Sequence, residues 1–236
     1  MITGNYQFAD KTVEVNSIFN TVHLYCKDYI SEDEPDFVVT TDAGDIEFER
    51  SRDEIKTFTD GYYEELAVYR KICEKMPLYD TFLFHGSVIA VDGKAFAFAA
   101  PSGTGKSTHA ALWRQYLGDR AVMVNDDKPL IKITDAVTVY GTPYDGKHRL
   151  SNKIAVPLKA VCLLERSDEN RIEKVRASEA FPKVLGQVYH PSDKTALAKT
   201  LDLINVFMSR VEFYKLQCNM DIDAAKVAYD RLIMID

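Results

Sequence analysis

The strongest chemical signal in the chain is the segment Ala100-Pro-Ser-Gly-Thr-Gly-Lys-Ser-Thr108. Glycine tolerates backbone angles that turn successive N–H groups to one side. Such a nest, followed by a helix N-terminus, attracts phosphate oxygens. Lys106 adds a point charge for the β- and γ-phosphates, and Ser107 a hydroxyl for Mg²⁺. The segment fits the Walker A template GxxxxGK[ST] at Gly105, Lys106 and Ser107, with Ala100 in place of the first glycine. A small residue serves at that position provided its φ is negative. The expectation is ATP with Mg²⁺, held by Ser102, Gly103, Thr104, Gly105, Lys106, Ser107 and Thr108. The competing reading, a Gly/Ser-rich turn that happens to contain a lysine, does not account for the apolar run before the loop and the helical pattern after it.

A phosphate loop alone names a ligand and no reaction. Asp126 and Asp127 stand twenty residues beyond Lys106, at the end of the apolar run Ala121-Val-Met-Val124. Side chains at the carboxyl ends of sheet strands face the ligand crevice of open α/β folds. There, one carboxylate can hold Mg²⁺ and a second can take a proton from an attacking hydroxyl. An ATPase needs the first role, and a kinase benefits from both. The alternative is a solvated Asp-Asp turn ahead of Lys128-Pro129. His85, in His85-Gly86-Ser87 between two strand-like runs, is a third candidate. A fourth is the turn-rich stretch Gly141-Thr-Pro-Tyr-Asp-Gly-Lys-His-Arg149. Its basic end, with Lys147, His148 and Arg149, either contacts phosphate or an acidic acceptor or is a surface loop. Asp145 in the same stretch could add a metal carboxylate.

The phosphate segment needs a strand on one side and a helix on the other. Ser87–Val91 and Ala95–Ala100 read as strands joined by the turn Asp92-Gly93, and Ser107–Leu117 as a helix stopped by Gly118. Further strands are expected at Thr81–Phe84, Leu130–Ile133, Val137–Tyr140 and Val161–Leu164, and a helix from Thr59 to Lys75 closed by Pro77. Phe37–Thr41 and Asp45–Arg50, around Asp42-Ala-Gly-Asp, read as a hairpin. Helical patterns at Ala177–Val188, Lys194–Arg210 and Asp223–Leu232 make the C-terminal portion mostly helical. Trp113 is expected in the core.

The chain of 236 residues is 46% hydrophobic, enough for a real core, and its net charge of −7 makes nucleic acid a poor partner. Cys26, Cys73, Cys162 and Cys218 are scattered within or beside apolar runs and form no CxxC pair, so they read as free thiols. No secretory signal and no membrane-spanning run stands out, and the cytoplasm is the expected location.

Phe84-His-Gly-Ser-Val-Ile-Ala-Val-Asp-Gly-Lys94, the loop Pro101–Ser107 and Val124-Asn-Asp-Asp127 together resemble the HPr kinase/phosphorylase family. More distantly, they are similar to ATP-dependent phosphoenolpyruvate carboxykinase. The resemblance covers residues 80 to 130. It implies an α/β fold with a P-loop core of HPr kinase/PEP carboxykinase type, a mixed β-sheet and flanking helices. It also implies ATP- and Mg²⁺-dependent transfer of phosphate to a serine hydroxyl. By position, Asp127 becomes the general base, Asp126 lies at the metal with Ser107, and His85 sits near the γ-phosphate. The chain has neither the later metal-binding glutamate nor the basic loop of the HPr kinases themselves. It looks more like the HPr-kinase-related proteins, with a peptide, protein or metabolite as acceptor and a homo-oligomer as the family's habit. A division follows between residues 1–79, a mixed subdomain able to hold the acceptor, and 80–236, the nucleotide core. Two other readings stay open: a carboxykinase- or phosphorylase-like enzyme, which would need an arginine cluster, and a non-catalytic ATP-binding regulator.

Overall fold

The structure, a computed structural model, describes residues 1–55, 57–146 and 148–235. The chain opens with β1 (Ile2–Phe8) and β2 (Lys11–Ser17), an antiparallel pair turned at Ala9 and Asp10, both at positive φ. Two short-range elements follow, α1 (Thr21–Tyr25) and β3 (Phe37–Thr40), the latter parallel to β2. Together the strands form a small sheet ordered β1-β2-β3.

The expected hairpin over residues 37–50 is not there. Only its first arm is a strand, and the second is helix α2 (Ala43–Arg52). The turn-like spacer is a capping box. Asp42 accepts from the Asp45 N–H at 3.0 Å, and the Asp45 carboxylate accepts from the Asp42 N–H at 3.1 Å. Those reciprocal bonds satisfy two donors that a helix N-terminus otherwise leaves open. Helix α3 (Asp60–Lys75) starts at an N-cap, Thr59, and buries Tyr63, Ala67, Val68 and Ile72 along one stripe. It also buries Tyr69 and Cys73, in one apolar cluster with Phe8, Val13 and Val15 of the small sheet and with Leu130 and Tyr144 from later in the chain.

Strands β4 (Thr81–Leu83), β5 (Ser87–Val91) and β6 (Lys94–Ala99) lead into helix α4 (Lys106–Leu117), and β7 (Ala121–Asn125), β8 (Leu130–Ile133) and β9 (Val137–Tyr140) come next. The long strand β10 (Ala155–Arg166) pairs with β9 through its first residues and with β12 (Glu212–Cys218) through its last. Between β10 and β12 the chain passes through β11 (Arg171–Val175), α5 (Ala177–Leu185) and α6 (Lys194–Arg210), and it finishes in α7 (Ile222–Leu232). The resulting mixed sheet of nine strands runs β4-β8-β9-β10-β6-β5-β7, with β12 on β10 and β11 on β12. Pairing is parallel only where β10 meets β6 and β12.

Both faces of this sheet are covered. Strand β6 shows why its composition suits the place: Ala95, Ala97 and Ala99 face the α5–α6 layer, and Phe96 and Phe98 face α4 and α7. Trp113 of α4 is fully buried against those two phenylalanines, with ring centroids 5.7 and 5.4 Å away. A strand with apolar residues on both sides reads as a continuous apolar run, which is what β6 shows. Among the described residues no helix is long and apolar enough to cross a membrane. All four cysteines are free thiols, and only Cys218 is partly exposed.

Candidate active site

The chain turns from β6 into α4 through residues 100–105. Gly103 (φ +76°) and Gly105 (φ +125°) adopt backbone angles that a side chain would strain, whereas Ala100 is outside that region. Gly105 is the N-cap of α4 and has no side chain to offer, so the first N–H groups of the helix receive no capping bond. The loop's carbonyls, by contrast, are engaged. Lys106, only 8% exposed, donates to Ala100 O at 2.8 Å and Pro101 O at 3.5 Å. Arg166, at the end of β10, donates through Nε to Thr104 O at 3.2 Å and through a terminal nitrogen to Gly103 O. With the carbonyl ends of these peptides held by cations, the segment keeps uncapped amides at the start of α4, an arrangement suited to an anion.

A cavity of about 360 Å³ lies over this helix start, and Asp126, Asp127, His85 and His148 line it together with Lys106 and Ser107. Of the predicted loop residues, Ser102, Gly103, Gly105 and Thr108 also line it, while Thr104 faces a different cavity, on the far side of the loop. Arg149 departs from expectation. It takes a left-handed backbone (φ +48°), and its guanidinium lies 5.1 Å above the Tyr25 ring, away from this cavity. His148 lines the cavity and Arg149 does not. Lys147 lies outside the described residues. Asp145 is buried apart from the cavity, with one carboxylate oxygen accepting from Ser151 Oγ at 2.8 Å and the other without a partner among the described residues.

The two aspartates have different surroundings. Asp126 accepts from Ser87 Oγ at 2.6 Å, and the Ser107 hydroxyl lies on the same side of the cavity. Burial raises its pKa, against the pull of those two hydroxyls and of His148, and the neighbouring Asp127 charge adds to the rise. Asp127 lies 3.1 Å from His85 Nε2 and 3.8 Å from Lys128 Nζ. Burial raises it as well, but the His85 hydrogen bond and the charges of Lys128, His85 and Lys106 outweigh burial and hold it below the ordinary carboxylate range. Lys106 has its own pKa lowered by burial, with both aspartates opposing. Adjacent carboxylates shifted in opposite directions suit divided roles.

The turn that carries these aspartates is locked by Asn125, whose importance sequence reasoning missed. Its buried side chain accepts from Asp127 N (2.8 Å) and Lys128 N (2.7 Å) and donates to Thr142 O (3.0 Å) and Thr142 Oγ1 (3.1 Å). The only sequence hint was its position before the pair. Gln187 is also built in: with its amide nitrogen facing them, it donates to Ala100 O (3.2 Å) and His85 O (3.1 Å). Its main-chain carbonyl accepts from His85 N at 2.7 Å. Gly146 (φ +76°) approaches so closely that a Cβ there would lie 3.1 Å from Asp127 Cβ.

The family model described as SynChlorMet cassette protein ScmC matches residues 64–221. No curated protein matches. Among solved structures the chain is similar to the Hpr(Ser) kinase/phosphatase from Coxiella burnetii, at 8% identity and a TM-score of 0.35, covering 64% of this chain and 96% of that one.

Proposed function

The chain belongs to the SynChlorMet cassette protein ScmC family, and from that premise we propose that it is an ATP- and Mg²⁺-dependent phosphotransferase. In this reading it is an HPr-kinase-like kinase with a P-loop core, passing the γ-phosphate to a hydroxyl, a serine of a peptide or protein or a small molecule's. The observation that supports it best is one cavity holding an uncapped helix start, Lys106 and two adjacent aspartates whose pKa values are shifted in opposite directions. Lys106 exchanges its carbonyl partners for the β- and γ-phosphates, and the loop amides take the remaining oxygens.

Ser107 and Asp126 line the same cavity. A hydroxyl beside a carboxylate fits Mg²⁺, whose other positions go to phosphate and water. Among the described residues no group of three or more His, Cys, Asp or Glu could hold a metal by itself, so the ion's affinity would depend on the nucleotide. When bound, Mg²⁺ neutralises charge on the transferring phosphates. Asp127 then takes the proton of the acceptor hydroxyl as that oxygen bonds to the γ-phosphorus and the bond to the β,γ-bridging oxygen breaks, releasing ADP. His85 aims the Asp127 carboxylate and meets the γ-phosphate. Positioning and charge neutralisation supply most of the rate.

Residues 80–236 form the nucleotide core in this scheme, and residues 1–79 offer an acceptor element. Support comes from a cavity of about 380 Å³ with Leu66, Tyr69 and Cys73 of α3 along one wall and Lys128 on the other. Lys128 connects it to Asp127. The test is Asp127→Asn: ATP binding should persist while transfer falls by about 10²–10⁴-fold, the contribution of a positioned base. Unchanged transfer in that variant refutes the base assignment. A wild-type chain that binds ATP and never consumes it with any acceptor refutes the kinase reading and leaves a regulator.

A further inference from the structure

On the far side of the loop from Asp126 and Asp127 lies a second, larger cavity of about 580 Å³. Gly103, Thr104, Gly105 and Thr108 line it, so the same loop separates the two spaces. The outer walls are Arg166 and the segment Cys218-Asn219-Met220, which joins β12 to α7. Met220 is 78% exposed, an apolar side chain left in water at the cavity wall.

His109, one turn into α4, is 2% exposed and belongs to this cavity. Its ring has one satisfied nitrogen. Trp113 Nε1 lies 3.0 Å from His109 Nε2, and an indole N–H can only donate, so Nε2 must be an unprotonated acceptor. Burial holds the imidazole neutral, with its pKa lowered to about 4. The single ring proton is therefore on Nδ1, and Nδ1 is buried without an acceptor among the described residues. A buried donor left unpaired costs about 1–3 kcal/mol, and native structures rarely leave one without a use.

We propose that this cavity is the nucleoside subsite of the ligand held by the loop, with His109 Nδ1–H as a donor to the nucleoside or its α-phosphate. The inference rests on the phosphate-binding reading above and goes beyond it by placing the rest of the ligand. A phosphate chain lying across the helix start, with its reactive end among His85, Asp126 and Asp127, must leave its other end where the loop faces away from them. That direction leads to the larger cavity. The guanidinium of Arg166 gives a planar cation for stacking against a base, and Met220 an apolar contact for its other surface.

Cys218 supplies the test without altering the protein. It lines the cavity and is the one partly exposed thiol, since Cys26, Cys73 and Cys162 are buried. The rate of Cys218 modification by a thiol reagent is measured with ATP, with adenosine and with inorganic tripolyphosphate, alongside calorimetric affinities. ATP should slow modification at least about fivefold, adenosine should slow it at high concentration, and tripolyphosphate should bind and leave the rate unchanged. Met220→Glu, at an exposed position, should weaken ATP at least about tenfold and leave tripolyphosphate binding intact. Equal Cys218 rates with and without saturating ATP overturn the subsite, as does a Met220→Glu chain that binds ATP normally. Both results leave the phosphate reading standing if tripolyphosphate binds. A wild-type chain that binds neither ATP nor tripolyphosphate overturns both.

Discussion

Replacement of Asn125 tests how the candidate site is held together. The side chain gives two acceptor contacts, at 2.8 and 2.7 Å to the N–H groups of Asp127 and Lys128, and donates to Thr142 O at 3.0 Å. Asn125→Ala takes this partner from three main-chain groups at once. Each neutral hydrogen bond nets about 1 kcal/mol, and each buried group left unpaired costs about 1–3 kcal/mol, so a loss of about 3–5 kcal/mol is expected. Asn125→Asp sharpens the test. The two acceptor contacts survive, but an ionised carboxylate would put an oxygen against the Thr142 carbonyl. The folded state therefore favours the protonated acid, raising the folded pKa above the unfolded value of about 3.9. Stability of the variant is then closest to wild type below about pH 4 and falls as pH rises through the raised pKa. Urea unfolding followed by the fluorescence of Trp113, the one tryptophan, measures this at pH 4 and pH 8. A cost below about 1 kcal/mol for Asn125→Ala, or an Asn125→Asp penalty equal at both pH values, refutes the idea that this amide holds the aspartate turn.

Three other substitutions follow from single contacts. Gly141→Ala would put a Cβ 1.9 Å from Asn152 O and 2.6 Å from Val124 O, both main chain, so unfolding should be easier by more than about 3 kcal/mol in denaturant titration. Gly105→Ala, at φ +125°, carries about 1–3 kcal/mol of strain and should lower the thermal midpoint and weaken ATP binding in the same preparation. Glu65 on α3 has its pKa raised from 4.5 to about 7, by burial first, with the charge of Arg149 pulling the other way. Its neutral form is favoured by folding, so its contribution is complete below about pH 4.5 and is lost as pH rises through 7. Glu65→Gln should therefore match wild type at pH 4.5 and exceed it by about 1–2 kcal/mol at pH 8; a constant difference across that range refutes the shift.

The strand, loop and helix around Lys106 were legible because local chemistry dictates them: alternating apolar residues, glycines at positive φ and a helix pattern ended by Gly118. The Asp92-Gly93 turn was legible for the same reason, with both residues at positive φ between β5 and β6. The second arm of the supposed hairpin misled because Ile46 and Phe48 alternate as a strand would. In the helix Ile46 is buried while Phe48 stays exposed under the guanidinium groups of Arg52 and Arg70, and the Asp42–Asp45 cap decides the outcome. Strand β12 was hidden for a different reason. It sits parallel to β10 far along the chain, and its adjacent residues Phe213 and Tyr214 are both buried, on opposite faces, which erases the simple alternation. Within the site, residue types were readable and directions were not. Which of His148 and Arg149 faces the cavity could not be read from their order, and the roles of Asn125, Gln187 and Arg166 depend on contacts between segments distant in sequence.

Tyr144 ties the N-terminal helix to the aspartate turn. Its ring is stacked 3.8 Å from that of Tyr69 on α3 and packed 5.3 Å from that of Tyr25, and two residues later Gly146 abuts Asp127. Two steps of backbone therefore separate the ring stack on α3 from the contact with Asp127, so the N-terminal helix and the aspartate turn are anchored on one short stretch of chain.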